Sequence, residues 1–154
     1  MSHTNLVIKD WDSLSKEELY AILRIRQEVF VVEQHCPYLD LDDHDQSSYH
    51  LIMTDDEGII AYTRLLPPGQ IYKEPSIGRV ITAERARRKG IGREAMDASM
   101  KFVLDNWGEP IRIMAQSYLL KFYESYGFVK EGEEFLEDGL PHWYMVCRRR
   151  EVGT

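Results

Sequence analysis

A group of six consecutive residues in the middle of the chain combines positive charge with two glycines: Arg87, Arg88, Lys89, Gly90, Ile91 and Gly92. The segment follows a strand-like run, Ser76 to Thr82, and precedes an apolar stripe of helical spacing. The first turn of a helix leaves backbone N–H groups without partners, and glycines let a ligand approach the main chain. Because the helix dipole and the guanidinium groups both favour negative charge, we predict that this segment binds a diphosphate.

Several classes of function lose support from the motifs that the chain lacks. The basic segment is neither the P-loop pattern GxxxxGK[ST] nor the dinucleotide pattern GxGxxG, so nucleoside triphosphate hydrolysis and hydride transfer lack their usual spacing. A net charge of -7 argues against nucleic acid as the main partner. The two cysteines, Cys36 and Cys147, form no CxxC pair, so we expect reduced thiols and no structural zinc site.

Two linked motifs resemble the GNAT superfamily of N-acetyltransferases. Arg87-x-x-Gly90-x-Gly92 after a strand is similar to the acyl-CoA signature of that family, and the run from Phe122 to Phe128, FYESYGF, resembles its FYxxxGF element. The ElaA-like branch is indicated by further segments: Phe30 to Gln34, Cys36 to Tyr38 with the aspartates that follow, and Glu137 to His142. The resemblance covers nearly the whole chain.

The resemblance implies that acetyl-CoA, or CoA, is the co-substrate and that no metal is needed. Backbone groups of Val80, Ile81 and Thr82 would then hold the pantetheine arm like an added strand, while Arg87 to Gly92 hold the diphosphate. Gln116 stands where many members carry an Asn, and it is grouped with the cofactor contacts.

Transfer of an acyl group to an amine needs a base and an acid. A lysine-type amine has a pKa of about 10.4 and must lose a proton before it attacks, and a leaving thiolate departs more easily beside a proton or hydrogen-bond donor. By resemblance, Tyr123 is the acid. The strand segment Ile77 to Ile81 lacks the carboxylate that many members place there, and the candidates that replace it as base are Glu33, His35 and His142, of which we favour Glu33.

Charge is unevenly distributed along the chain. No Lys or Arg lies between Gln27 and Thr63, whereas nine acids do, and the segment from Arg79 to Arg93 carries a charge of +5. We therefore expect two electrostatic environments. The aspartates of the acidic segment are either a solvated loop or a rim that attracts a cationic acceptor, with Asp42 and His142 as acceptor contacts. An EF-hand is disfavoured because Asp45 and Leu51 occupy the positions that need Gly and Glu.

Hydrophobic periodicity and turn signals predict an order of elements. They comprise a short strand at Leu6 to Ile8, a helix from a capping box at Ser15 to about Val31, a hairpin (Tyr49 to Thr54 and Ile59 to Leu66), a strand from Ser76 to Thr82, a helix stopped by Gly108, a strand from Ile111 to Ala115, a short helix from Leu119 to Tyr126, and a final strand pair between Phe128 and Cys147.

The whole chain, residues 1–154, is expected to be one domain of α/β (α+β) class, with a mixed, largely antiparallel sheet flanked by helices on both faces. No apolar run reaches the roughly 20 residues that span a bilayer, so we expect a cytoplasmic protein without a membrane partner. A homodimer is one expectation for its assembly.

The predicted function is an acyl-CoA-dependent N-acyltransferase that transfers an acetyl group to a small-molecule or peptide amine by direct attack in a ternary complex. One alternative is a non-catalytic module that binds or senses acyl-CoA. Another is a protein interaction module that uses the acidic segment.

Overall fold

The computed structural model describes residues 4–148. Its regular elements are β1 (Asn5–Asp10), α1 (Lys16–Arg26), β2 (Tyr49–Asp55), β3 (Gly58–Leu66), β4 (Ser76–Thr82), α2 (Ile91–Asn106), β5 (Ile111–Gln116), α3 (Leu120–Glu124), β6 (Phe128–Glu137) and β7 (Leu140–Cys147). Every strand and helix predicted from the sequence is present, and the differences lie at their ends.

Helix α1 begins as predicted and ends earlier. The Ser15 hydroxyl accepts a hydrogen bond from the Glu18 N–H at 3.0 Å, and the Glu18 carboxylate accepts one from the Ser15 N–H at 2.8 Å, which completes the capping box. The chain is helical to Glu33, close to the predicted end at about Val31, but it is an α-helix only to Arg26 and continues as a π-helical segment, Gln27–Glu33. The wider turns change the angular spacing of the side chains that follow.

The strands form two hydrogen-bonded sheets instead of one. The first has the order β1-β2-β3-β4 and the second β5-β7-β6, and every registered pair is antiparallel. The beginnings of β4 and β5 meet where the Arg112 N–H donates to the Pro75 carbonyl at 3.0 Å. Within residues 4–148 no ladder joins β4 to β5. A groove therefore opens between these two strands.

Alternation along the strands places the helices on opposite faces of the first sheet. Ile22 of α1 packs with Ile52 and Tyr62, whereas Met96 of α2 packs with Leu65 on the other face. The second sheet, α2 and α3 share the larger hydrophobic core. The structure thus has the predicted α/β (α+β) class, with helices on both faces of a divided antiparallel sheet.

In the part of the chain that the structure describes, no helix has both the length and the apolar character needed to cross a membrane.

Candidate active site

The groove between the diverging strands has a volume of about 500 Å³. One wall is β4 from Ser76 to Val80, and the other is β5 from Met114 to Gln116. Tyr123 of α3 and His142 of β7 also line it, together with residues of the loop that follows the π-helical segment. The groove therefore brings together side chains from both sheets.

A β-bulge distorts β4 at the groove. Opposite β3, Tyr62 pairs with Ile81 and Arg64 pairs with Gly78, so two residues of β4, Arg79 and Val80, face a single residue of β3. Arg79 has a φ of 49°, a left-handed conformation that is uncommon for a long side chain. The bulge interrupts the regular pairing of the main chain at the point where β4 leaves β5.

A buried ionic cluster holds the bulge in place, formed by three arginines of α1, β3 and β4 with three aspartates of the loop: Arg26, Arg64, Arg79, Asp40, Asp42 and Asp45. Arg64 makes two hydrogen bonds to the Asp42 carboxylate, at 2.7 and 2.6 Å. Arg79 Nε lies 2.8 Å from the Asp40 carboxylate. Arg26 and Arg64 are 0% and 1% exposed.

Electrostatics within this cluster lower the pKa values of Asp42 and Asp45. Burial by itself would raise the pKa of Asp42, but hydrogen bonds from Arg64 and the nearby charge of Arg79 outweigh it and hold the pKa well below its usual range. The pKa of Asp45 is lowered in the same way: burial opposes ionisation, and hydrogen bonds from Arg26 and Arg64 overcome it. Three aspartates of the acidic segment, Asp40, Asp42 and Asp45, are therefore paired with arginines from other elements and form neither a solvated loop nor a free cation-attracting rim, whereas Asp43 is exposed.

The basic segment lies on the turn between β4 and α2. Arg87 Nε donates to the Thr82 carbonyl at 2.9 Å, and Gly90, with a φ of 78°, is the N-cap of α2. No side chain caps the first turn of this helix. The turn thus presents backbone donors beside basic side chains, as a diphosphate site requires.

Much of the positive charge around this turn is paired. Arg85 makes ion pairs with Asp55 and Glu57, and Arg87 Nη1 lies 2.6 Å from the Glu33 carboxylate. Among residues 4–148, Arg88 and Lys89 have no ion-pair partner. The expected +5 region is accordingly reduced to a smaller cationic patch on the turn.

Gly92 sets the distance between α2 and β4. A Cβ atom at this position would lie 3.0 Å from the Thr82 hydroxyl, which is tighter than normal packing. Thr82 therefore lies next to both ends of the basic segment: its carbonyl accepts from Arg87, and its hydroxyl occupies the space that a side chain at position 92 would enter.

Tyr123 lies at the groove with only 6% of its surface exposed. Its ring packs against Phe122 and Phe128, and its side chain makes no hydrogen bond with any other residue between 4 and 148. Burial raises the pKa of this phenol, with a smaller contribution from Tyr118. The neighbouring Tyr126 is 4% exposed and belongs to the hydrophobic core.

The structure does not bring Glu33 to this groove. Its carboxylate pairs with Arg87 on the turn between β4 and α2, and the groove is lined instead by Gln34, the next residue. Glu33 is the last residue of the π-helical segment. Gln116 is at the groove, and its amide donates to the Gln34 side-chain oxygen at 3.3 Å.

His142 and Asp42 both line the groove. His142 is 8% exposed and lies opposite Gln116 in the β5–β7 register. Its Nδ1 is 2.8 Å from the Leu140 carbonyl, and its ring stacks on Phe135. Asp42 is present as the ion-pair partner of Arg64 and not as a free carboxylate.

Sequence reasoning missed the buried arginines. Arg64 lies in the otherwise apolar strand run from Ile59 to Leu66, and Arg26 precedes the acidic segment directly. An arginine is rarely buried without a partner of opposite charge. The position of Arg64 inside an apolar strand therefore indicated that a carboxylate from another part of the chain would pair with it.

Comparison with known protein families gives one match over most of the chain. Residues 12–149 match a family model described as "Acetyltransferase (GNAT) domain".

Individual proteins show the same likeness. The UPF0039 protein sll0451 of Synechocystis is 40% identical over 140 residues, which is 90% of this chain and 91% of that protein. A crystal structure of an acyl-CoA N-acyltransferase from Pseudomonas aeruginosa is 37% identical with a TM-score of 0.89, covering 94% of this chain and 99% of that one. The crystal structure of Escherichia coli ElaA is 34% identical with a TM-score of 0.88 over 94% and 99%.

Proposed function

Because the chain belongs to the acetyltransferase (GNAT) family, we propose that it transfers an acetyl group from acetyl-CoA to an amine. The amine attacks the thioester directly within a ternary complex. Acyl-CoA-dependent acyl transfer is the activity of this fold family, and the printed description of the Pseudomonas relative, an acyl-CoA N-acyltransferase, supports an amine acceptor.

In the proposed complex, CoA lies along β4. The edge of β4 that faces β5 carries no ladder in the described chain, so backbone groups of Val80, Ile81 and Thr82 are available to the amide groups of pantetheine. The diphosphate lies against the turn from Arg87 to Gly92, where Arg88 and Lys89 supply unpaired charge. Gln116 faces the pantetheine from β5.

The continuity of this surface is the observation that carries the proposal. Tyr123 and the bulge at Arg79 face one groove, and β4 leads from that bulge through two residues to Thr82, which lies next to both Arg87 and Gly92. One extended ligand with an anionic end and a reactive end matches this layout.

Tyr123 is the proposed acid, at the reactive end of the ligand. Because its pKa is raised, the phenol keeps its proton at neutral pH and donates a hydrogen bond to the departing sulfur. Asp42 and His142 line the acceptor side of the groove. Glu33, which is bound to Arg87, serves the diphosphate turn and not the amine.

A thiol-release assay tests the proposed function. Acetyl-CoA is mixed with the protein and with primary amines such as spermidine, lysine and tyramine, and free CoA thiol is measured. We expect release that depends on both amine and protein. If CoA binds in a calorimetric titration but no amine causes release, the alternative of a non-catalytic acyl-CoA sensor is correct.

A further inference from the structure

We propose that His142 is the general base of the reaction and that its Nε2 atom takes the proton of the attacking amine. This inference deepens the proposed function and rests on it. It is carried by three observations: the place of His142 in the groove, the hydrogen bond that fixes its tautomer, and the state of the other titratable groups of the groove, which are paired, protonated or exposed at a hairpin tip.

The position of His142 is set by the second sheet. It lies on β7, between Gln116 of β5 and Phe135 of β6 in the register of the two ladders. Its ring is stacked on Phe135 with 6.1 Å between ring centres, and 8% of its surface is exposed. The imidazole is therefore held by packing while it remains part of the groove wall.

The tautomer follows from the partner of Nδ1. The Leu140 carbonyl, 2.8 Å away, is only an acceptor, so Nδ1 must carry the hydrogen and donate it. In the neutral ring Nε2 then holds the lone pair. Nε2 makes no hydrogen bond with another residue between 4 and 148, which leaves it available to a ligand in the groove.

The other groups of the groove are occupied or hold their protons. Asp42 is bound by Arg64, and its lowered pKa makes it a weak base. Burial raises the pKa of Tyr38 and of Tyr72 to about 12, so both phenols are protonated at neutral pH. The Cys36 thiol donates to the Asp138 carbonyl at 3.4 Å.

The remaining charged groups that face the groove are those of Arg64, Arg79, Glu137 and Asp138. The two arginines are cations bound to aspartates, and the two acids are exposed at the tip of the β6–β7 hairpin. Histidine is the only one of these side-chain types whose ordinary pKa, about 6.5, lies near neutrality, where general bases work best.

The step balances with the groups in place. The neutral amine attacks the thioester carbonyl carbon, and as the C–N bond forms, the nitrogen loses a proton to Nε2, either directly or across one water. The C–S bond breaks, and its electron pair leaves with the sulfur, which accepts a hydrogen bond from Tyr123. The imidazolium returns its proton through solvent to the thiolate, which gives free CoA and neutral His142.

A matched pair of substitutions tests this role. In His142→Asn the side-chain amide can still donate to the Leu140 carbonyl, but the variant lacks Nε2. His44→Asn changes a half-buried histidine outside the groove, whose ring makes no hydrogen bond with another residue between 4 and 148. We expect kcat/KM for thiol release to fall by about 10²-fold or more in His142→Asn and to stay unchanged in His44→Asn.

Chemical rescue and CoA affinity separate catalysis from folding. In His142→Ala, added imidazole should restore part of the lost rate, and both His142 variants should bind CoA with the wild-type Kd. Wild-type turnover in His142→Asn, or a loss in His142→Ala that imidazole does not relieve, overturns the role of His142. If the wild type itself releases no thiol with any amine, the proposed function fails instead.

Discussion

At the scale of single residues, Tyr123 has an unusual combination of properties. Its phenol is almost fully buried among aromatic rings, yet it lines the groove and has no hydrogen-bond partner in residues 4–148. A phenol hydroxyl at the wall of a groove, with no partner in the described chain, can donate to a ligand that enters the groove. The thioester sulfur would supply that partner during the reaction.

Tyr123→Phe should therefore lower kcat by about 10²-fold and leave the Kd of CoA nearly unchanged, because the ring packing survives and only the donor is lost. Steady-state kinetics with calorimetric CoA titration measures both quantities. Tyr126→Phe is the matched control, since its hydroxyl donates to the Arg93 carbonyl at 3.1 Å, away from the reacting atoms. Equal turnover in both variants would remove Tyr123 from the mechanism.

The aspartates of the ionic cluster make stability depend on pH. Because the folded-state pKa of Asp42 is lowered, its stabilising contribution is complete above the unfolded value of about 3.9 and is lost as pH falls below it. The free energy of unfolding should therefore decrease from pH 5 towards pH 3.

Asp42→Asn should lower the free energy of unfolding at pH 7 by about 1–3 kcal/mol, since the buried Arg64 loses its charged partner. The variant should also show a shallower decline below pH 5. Urea unfolding at several pH values measures both effects. Asp43→Asn is the control, because Asp43 is exposed and has a φ of 67°. A pH dependence equal to that of the wild type would contradict a native ion pair at Asp42.

At the scale of elements, the diphosphate turn depends on how closely α2 approaches β4. Gly92 permits that approach, because a side chain there would press on Thr82. The start of α2 therefore packs closely against the end of β4. This packing sets the positions of the backbone N–H groups in the first turn of α2.

Gly92→Ala should weaken CoA binding by about fivefold or more, equivalent to about 1 kcal/mol, by moving the first turn of α2 away from β4. Adding Thr82→Ala removes the hydroxyl that the new methyl group meets, so the double variant should recover much of the affinity. Calorimetric Kd values for the wild type and the three variants complete the cycle. Additive losses in the double variant would rule out this contact as the cause.

Local signals predicted the elements but not their irregularities. The capping box at Ser15 and the turn at Glu137 to Gly139 each depend on a few neighbouring residues. Helix α1 begins at the first, and the β6–β7 hairpin turns at the second. The bulge at Arg79 and the π-helical segment depend on which partner strand and which groove lie beside them. Neither leaves a periodic pattern in the sequence.

At the scale of the whole molecule, the net charge of -7 does not show how the charges are distributed. Counting charges along the chain separated an acidic from a basic segment, but folding pairs them through Arg79, Arg85 and Arg87, and Arg26 and Arg64 add further partners for the aspartates. The arginines that bind the aspartates lie on α1, β3 and β4. A pattern read over a few neighbouring residues cannot show that these elements meet. The turn from Arg87 to Gly92 could be located from the sequence because its basic residues and glycines are six consecutive residues, and its role in holding the diphosphate stays a prediction.

The most direct test of the account is a crystal structure of the protein with acetyl-CoA bound. We expect the diphosphate within hydrogen-bond distance of backbone N–H groups between Gly90 and Gly92, and the thioester sulfur beside the Tyr123 phenol. An acetyl-CoA molecule found elsewhere on the surface, or one with its thioester outside the β4–β5 groove, would contradict it.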